Sequence, residues 1–187
     1  MPEKVKERKP IHMETARMRI RDFSPEDAAA LQEILGDGEV MKYCEPAYDL
    51  AKTRNFLQSF CIGQRGAVAA VHKESGRLIG YILCREGEEG VYEMGWFFHR
   101  EFWGQGYAFE ACRAVMDYAF REWNAHKVFA ETIDAAKSLG LMKKLGMRPE
   151  GIQRKQVRDC DGNWADLHLY GVISEEWNRT EHFSADN

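Results

Sequence analysis

The clearest chemical signal in the sequence is a short segment with two glycines, "WGQGY", from Trp103 to Tyr107. It follows an apolar, strand-like run and precedes a long segment with helical spacing of apolar residues. The first N–H groups of a helix lack partners and carry a partial positive charge. Gly104 and Gly106 have no side chains to keep a ligand away from these groups. The segment therefore predicts a site for a phosphate-bearing molecule.

Two common nucleotide-binding folds do not fit this segment. In the dinucleotide-binding fingerprint a third small residue lets the helix pack closely on the strand, and here Phe109 stands in that position. The Lys-Ser/Thr pair of a P-loop is also missing after the glycines. The phosphate site must therefore belong to another architecture.

Length, charge and composition fit one globular domain. The chain has 187 residues, of which 44% are hydrophobic, and a net charge of −4 that argues against a nucleic-acid-binding protein. No apolar run reaches the roughly 18 residues of a membrane span. The five cysteines form no C-x-x-C pair, which favours a reducing, cytoplasmic location. No cluster of histidines, cysteines and acids has metal-ligand spacing, so we expect no metal.

The predicted elements follow the order β-α-α-β-β-β-α-β-α-β-β. Ser24 is expected to cap the first helix and Asp49 the second. Gly146 is expected to end the last helix, and the Asp161-Gly162 pair predicts a turn between the final two strands. Neither a doubly wound sheet nor a β-sandwich has this order.

Three regions are predicted along the chain. Residues 1–13 are polar and basic, which indicates a flexible arm. Residues 14–178 hold all of the predicted elements and form the domain. Residues 179–187 are polar and are expected to form a loose tail.

Three ordered segments resemble the GNAT family, the GCN5-related N-acetyltransferases: "YEMGWFFHREFWGQGYAFEACRAVMDYAF", "KSLGLMKKLGMRPEG" and "DGNWADLHLY". The similarity is greatest to the branch with the ribosomal-protein N-terminal and spermidine acetyltransferases. It implies a mixed α/β fold, with a mostly antiparallel, splayed sheet of about seven strands flanked by four helices. It also implies an acyltransferase that moves an acetyl group from acetyl-CoA directly to a primary amine.

The resemblance implies that the phosphate-bearing partner is acetyl-CoA. Main-chain groups of the turn would bind its diphosphate, and the end of the preceding strand would pair with its pantetheine arm. The residues implied in cofactor binding are Trp96, Phe97, Phe98, Phe102, Trp103, Gly104, Gln105, Gly106, Tyr107, Ala108 and Ser138.

Glu93 is the candidate base that removes a proton from the amine. It interrupts an apolar strand, where a buried carboxylate is costly unless it is paired, and it matches the glutamate of the family motif. A structural role for Glu93 remains the alternative. His99 is a second candidate base, and Asp166 and His168 on the last strand are further candidates for the acceptor groove.

Ser138 is the candidate donor of a proton to the departing thiolate. Spermidine-type relatives have a tyrosine for this step, and Met142 stands at its position here. Ser138 matches a serine that other members have near the sulfur, although it could instead cap a helix. Ala135 replaces an asparagine of many relatives, so contacts from this helix to the cofactor are expected to be few.

The acceptor remains open between a protein N-terminus or peptide, a polyamine and another small amine. Glu45, Tyr48 and Asp49 could favour a cation, although acids in a loop are usually just solvated. The resemblance makes a homodimer possible. Because Met142 and Ala135 depart from the family pattern, a CoA-binding sensor without catalysis is the alternative function.

Overall fold

The computed structural model describes residues 10–134 and 136–177. Within these ranges eight strands form one sheet in the order β1-β2-β3-β4-β5-β6-β8-β7. The strands are β1 (His12–Glu14), β2 (Met18–Asp22), β3 (Ala67–His72), β4 (Leu78–Glu86), β5 (Val91–Phe98), β6 (Lys127–Thr132), β7 (Arg148–Arg158) and β8 (Trp164–Ile173). The helices are α1 (Ala28–Leu35), α2 (Gly38–Met41), α3 (Leu50–Phe56), α4 (Tyr107–Glu122) and α5 (Lys137–Lys144).

The sheet is mixed, as the resemblance predicts. Neighbouring strands run antiparallel except β5 and β6, which run parallel. Helix α4 makes the crossover between these two strands, which is the connection that a parallel pair requires. The mixed α/β architecture that was predicted is therefore confirmed.

Short-range signals in the sequence set several element ends. Oδ1 of Asp49 accepts the N–H of Lys52 at 2.7 Å and caps α3, which continues as a π-helical segment, Leu57–Gly63. Gly146, with φ of +77°, ends α5, and Gly162, with φ of +82°, lies in the turn between β7 and β8. The cap at Asp49, the end of α5 and the turn at Gly162 were predicted from the sequence; the π-helical form of Leu57–Gly63 was not.

Two elements were not predicted. Strand β1 pairs with β2 and adds an eighth strand, and it begins at His12, within the segment predicted as an arm. Helix α2 is a single turn capped by Asp37, whose carboxylate accepts the N–H of Glu39. Residues 1–9 of the arm and the whole predicted tail, 179–187, lie outside the described residues.

Side chains alternate along β5, so the strand contributes to two separate cores. Tyr92, Met94 and Phe98 pack with helix α4 on one face of the sheet. On the other face Phe97 stacks on Tyr81 with 4.9 Å between the ring centroids, beside α1 and α3. Glu93 shares the face of Phe97.

Two further properties bear on the sequence predictions. Cys61, Cys84 and Cys112 are buried, whereas Cys44 and Cys160 are exposed. None of the helices within residues 10–134 and 136–177 combines the length and hydropathy that crossing a bilayer requires.

Candidate active site

A wedge-shaped opening divides the sheet between β5 and β6. The two strands pair only at Val91–Lys127, Tyr92–Val128 and Glu93–Phe129. Beyond Glu93 they diverge, although β5 continues to Phe98 and β6 to Thr132. Among the residues that the structure describes, the main-chain groups of β5 and β6 that face this opening have no neighbouring strand to pair with. The opening therefore offers donors and acceptors to an extended ligand.

The glycine turn stands at one end of this opening. Gly104 has a φ of +71° and Gly106 a φ of +82°, in the left-handed region that favours glycine. A Cβ at Gly104 would meet open space. The N–H groups of residues 104–108 donate to no acceptor within the described part of the chain. Free donors at the start of the sixteen-residue helix α4 make a site for an anion.

Arg17 brings a positive charge to this turn. Its Nη1 donates to the carbonyl of Gln105 at 2.9 Å, and its guanidinium lies 3.9 Å from the centroid of the Tyr107 ring. Nη2 would lie 3.4 Å from a Cβ at Gly106. The sequence analysis missed Arg17, because it stands before β2, far from the turn along the chain.

A second cation lies beside Trp103, at the start of the turn. Nζ of Lys137, in the first turn of α5, lies 4.6 Å from the centroid of the Trp103 ring. The indole N–H of Trp103 donates to the carbonyl of Phe98 at 2.7 Å, which ties the turn to the end of β5. The start of α5 therefore borders the same opening as the glycine turn.

Two of the six aromatic side chains predicted at the cofactor site, Tyr107 and Phe98, are buried inside the protein. Tyr107 is buried, packs against Phe102 and hydrogen-bonds His72 through its hydroxyl at 3.2 Å. Phe98 is buried over Gly80, where a Cβ would come within 2.4 Å of its ring. Tyr107 and Phe98 therefore offer little ring surface to a ligand. Two other predicted residues, Trp96 and Ala108, lie half-buried against the core around α4.

Gln105 is exposed, and its amide donates to the carbonyl of Glu101 at 2.7 Å. This bond holds the glycine turn against the short 3-10 helix, Arg100–Phe102, that precedes it. The side chain of Gln105 therefore stabilises the turn. The main-chain carbonyl of Gln105 accepts a hydrogen bond from Arg17.

Glu93 lies where the two strands separate, and it is ion-paired. Both Nε and Nη2 of Arg85 donate to its Oε2, at 2.8 and 2.6 Å. The two residues are also directly opposite in the β4–β5 ladder. The pair compensates the cost of a carboxylate in this strand. The position agrees with the predicted groove, and the base role of Glu93 stays a prediction.

Ser138 lies in the first turn of α5 and contacts Asp134. Its N–H donates to Oδ2 of Asp134 at 3.1 Å and its hydroxyl donates to the same oxygen at 3.3 Å. Asp134 also accepts the N–H groups of Ala136 and Lys137, so it caps the helix. Burial opposes its charge, but these hydrogen bonds outweigh burial and lower the pKa of Asp134.

Met142 is fully buried in the core around α4. A thioether has no proton to donate, and this side chain does not reach solvent in the opening. Ala135, the other departure from the family pattern, lies outside the described residues. Ser138 remains the predicted donor to the thiolate.

The remaining candidates are engaged elsewhere. Nδ1 of His99 accepts the N–H of Glu101 at 3.4 Å, and its Nε2 lies 3.1 Å from Nη2 of Arg77. Asp166 accepts the N–H of Lys155 at 2.9 Å within the β7–β8 hairpin. By alternation His168 shares its face with Asp166, opposite to the face that carries Glu93.

The acids of the loop before α3 already have partners. Glu45 accepts from Nζ of Lys52 at 2.8 Å and from the hydroxyl of Tyr48 at 3.0 Å, while Asp49 caps the helix. A cationic acceptor would have to compete with Lys52 for this loop. Within the described ranges no three histidine, cysteine or acidic side chains come together as a metal-holding group.

Comparison with known proteins identifies this arrangement. A family model described as an acetyltransferase (GNAT) domain matches residues 17–148. This chain is a GNAT acetyltransferase. It is 33% identical over 172 residues to YnaD, an uncharacterised N-acetyltransferase of Bacillus subtilis (strain 168), with 90% of this chain and 100% of the relative covered.

Solved structures agree with the family. A GNAT-family acetyltransferase from Bacillus anthracis superposes with a TM-score of 0.82 at 29% identity, and covers 88% of this acetyltransferase and 99% of its own chain. Spermidine N-acetyltransferase from Vibrio cholerae, solved with CoA and spermine, gives a TM-score of 0.78 at 17% identity, covering 87% and 99%. At that identity the second likeness shows the fold alone.

Proposed function

We propose that this GNAT acetyltransferase transfers the acetyl group of acetyl-CoA to a primary amine, with both substrates bound together. The observation that carries the proposal is the set of unpaired N–H groups at residues 104–108, beside the guanidinium of Arg17 and next to the opening in the sheet. A diphosphate fits such donors, because they are fixed in direction and reinforced by a nearby cation.

The opening supplies the remainder of the donor site. The free main-chain groups of β5 beyond Glu93 suit the amide groups of a pantetheine arm, which would bring the thioester to the point where the strands separate. Main-chain N–H groups there can stabilise negative charge that develops on the thioester oxygen. Lys137 and Trp103 border the entrance, so Lys137 adds a second positive charge for phosphate.

The acceptor would enter from the face of the sheet that carries Glu93, opposite to helix α4. Its class stays open between a peptide or protein N-terminus, a polyamine and another small amine. The names of two structural neighbours mention acceptors of these kinds: a ribosomal-protein-S5-alanine acetyltransferase from Vibrio fischeri and the spermidine N-acetyltransferase from Vibrio cholerae. These names support testing both peptides and polyamines as acceptors.

An acceptor screen tests the proposal. The purified protein is given acetyl-CoA with peptides, polyamines and aminoglycosides, and release of the CoA thiol is followed together with the mass of the product. We expect thiol release above hydrolysis and a mass gain of one acetyl group with at least one amine. Tight CoA binding without transfer to any amine would favour the non-catalytic sensor instead.

We also propose that the enzyme works in the cytoplasm; the homodimer that the resemblance makes possible stays a hypothesis. None of the five cysteines, which all lie among the described residues, forms a disulfide, as is usual in a reducing compartment. Light scattering of the purified protein tests the dimer, and a monomer at micromolar concentration would contradict it. Cell fractionation tests the location.

A further inference from the structure

Glu131 lies on the same face of the sheet as Glu93, one step further into the opening. The last residue paired with β5 is Phe129, opposite Glu93. Because side chains alternate along a strand, Glu131 points to the same side as Phe129. On its other edge Glu131 pairs with Leu169 of β8, which fixes the strand.

Across the opening, the residue of β5 that corresponds to Glu131 is Gly95, two residues after Glu93. Packing does not demand glycine there: a Cβ would meet that of Leu83 at 3.6 Å, an ordinary contact, and the φ of Gly95 is not in the left-handed region. The lack of a side chain therefore leaves room opposite the Glu131 carboxylate.

The two carboxylates at the opening differ in their partners. Glu93 holds Arg85 through two hydrogen bonds. Glu131 is exposed, and within residues 10–134 and 136–177 no hydrogen bond or ion pair reaches its carboxylate. A carboxylate without a cationic partner is the freer of the two to bind an ammonium group.

The charges around Glu131 favour proton uptake. The pKa of Glu131 is raised, because partial burial disfavours its charge and because Glu93 repels it, while Arg85 offsets part of this effect. On the same face Lys127 is paired with Glu150 of β7 at 2.7 Å. The facing residue of β8, Leu169, is uncharged.

We propose that Glu131, rather than Glu93, accepts the proton of the acceptor's ammonium group, and that Gly95 leaves the space which that group occupies. The inference rests on the proposed function and names the base of the same site. Glu93 and Arg85 then act as positioning residues, since they set the local charge at Glu131.

The proton balance is simple. Glu131 takes one proton from the ammonium group, and the freed lone pair of the nitrogen forms the C–N bond. The electron pair of the C–S bond leaves with sulfur. Ser138, the predicted donor, gives its hydroxyl proton to the thiolate and takes the second proton of the nitrogen in its place. Glu131 finally releases its proton to water, so the products are an amide, a thiol and one proton.

Four variants separate the two carboxylates: Glu131→Gln, Glu93→Gln, Gly95→Ala and, as a matched control, Glu150→Gln. The control removes a carboxylate from the same face but away from the opening. For each, kcat/KM is measured against pH with the best acceptor, and CoA affinity and thermal unfolding report on folding. We expect Gly95→Ala to raise the KM for the amine and Glu150→Gln to leave the rate unchanged.

The two glutamate variants should differ in kind. Removing a general base lowers kcat/KM by about 100-fold or more. We therefore expect Glu131→Gln to show this loss and to lose the acidic limb of its plot of kcat/KM against pH. In Glu93→Gln the charge that repels Glu131 is gone and Arg85 has lost its partner, so the limb should move to lower pH, with a smaller loss of kcat/KM than in Glu131→Gln. Retention of the limb and rate in Glu131→Gln, or loss of the limb in Glu93→Gln, would overturn the inference.

A measurement without substrate gives a second readout. In protein labelled with ¹³C-glutamate, the carboxyl signal of Glu131 is assigned by its loss in Glu131→Gln. We expect it to titrate above the ordinary value of about 4.3 and to shift down in Glu93→Gln; a midpoint at or below that value would count against the proposal. If the wild type acetylates no amine, the proposed function fails and this base role with it; normal transfer by Glu131→Gln overturns the base alone.

Discussion

Arg17 and Glu110 are 93 positions apart in sequence and form two hydrogen bonds in the fold. The main-chain N–H of Arg17 donates to Oε1 at 2.8 Å and its Nε donates to Oε2 at 2.7 Å. Since Glu110 lies in the first turn of α4, this contact fixes the guanidinium beside the glycine turn. The remaining donors on Nη2 lie next to Gly106.

We therefore predict that Arg17→Gln weakens the binding of CoA. A charge-assisted hydrogen bond contributes about 1.5–3 kcal/mol, so the Kd should rise roughly tenfold or more. The affinity of the variant should also depend less on salt, because one phosphate-facing charge is gone. Titration calorimetry at two ionic strengths measures both effects. Arg19→Gln, an exposed arginine of β2, is the control, and equal affinities of both variants would contradict this placement of Arg17.

A bulkier residue in the glycine turn should block the cofactor. With φ at +82°, Gly106→Ala costs about 1–2 kcal/mol of folding free energy, and its Cβ would approach Nη2 of Arg17 at 3.4 Å. Gly162 has the same φ, in a distant hairpin turn. We expect both alanine variants to unfold at similarly lower temperatures, but only Gly106→Ala to lose CoA affinity. Unchanged affinity would contradict the diphosphate assignment.

Ser138→Ala should slow acetyl transfer. If the hydroxyl protonates the departing thiolate, its removal should lower kcat by about tenfold or more, with little change in the KM of the amine. The start of α5 should persist, since Asp134 keeps its bonds to main-chain N–H groups. Steady-state kinetics and thermal unfolding of the same sample give both values. A normal kcat would show that Ser138 does not protonate the thiolate, and its role would then be the contact with Asp134.

Asp134→Ala should destabilise the fold and disturb the entrance to the opening. Loss of a helix cap costs about 0.5–2 kcal/mol. The pKa of Asp134 is lowered in the fold, so its stabilisation is present above the unfolded-state value of about 3.9. It is lost as the pH falls through the lower folded value. The difference in unfolding free energy between wild type and variant should thus shrink only in acid, as denaturant titrations at several pH values would show.

Asp49→Ala provides the matched comparison for this variant. Asp49 caps α3 through the N–H of Lys52, away from the glycine turn. We expect a comparable loss of stability in both variants, but a lower CoA affinity only in Asp134→Ala. A similar loss of affinity in both would show that global destabilisation, rather than the start of α5, is responsible.

The parts of the fold that the sequence predicted depend on neighbouring residues. Asp49, Gly146 and Gly162 act within a few residues of the backbone that they cap or turn, so their types alone are informative. Strand β1 was missed because it has three residues and pairs only with β2 at the sheet edge. Its formation depends on a partner rather than on its own pattern.

The site was predicted less completely, for the same reason. The glycine turn and the position of Glu93 follow from local pattern. The ion pair between Arg85 and Glu93 could have been predicted from the sequence, since the short loop between β4 and β5 places the two residues opposite each other. Arg17 and Lys137 gave no such signal, because tertiary packing alone brings them to the turn.

The divergence of β5 and β6 leaves the sheet incomplete along its middle. Until a ligand lies there, water must satisfy the main-chain groups on both edges of the opening. The two halves of the sheet are joined directly only through the three pairs before the opening. A ligand with its own amide groups could hydrogen-bond to both edges and so join the two halves of the sheet. The stability of the folded protein in a cell would then rise with the concentration of that ligand, since anything that binds only the folded form stabilises it by mass action.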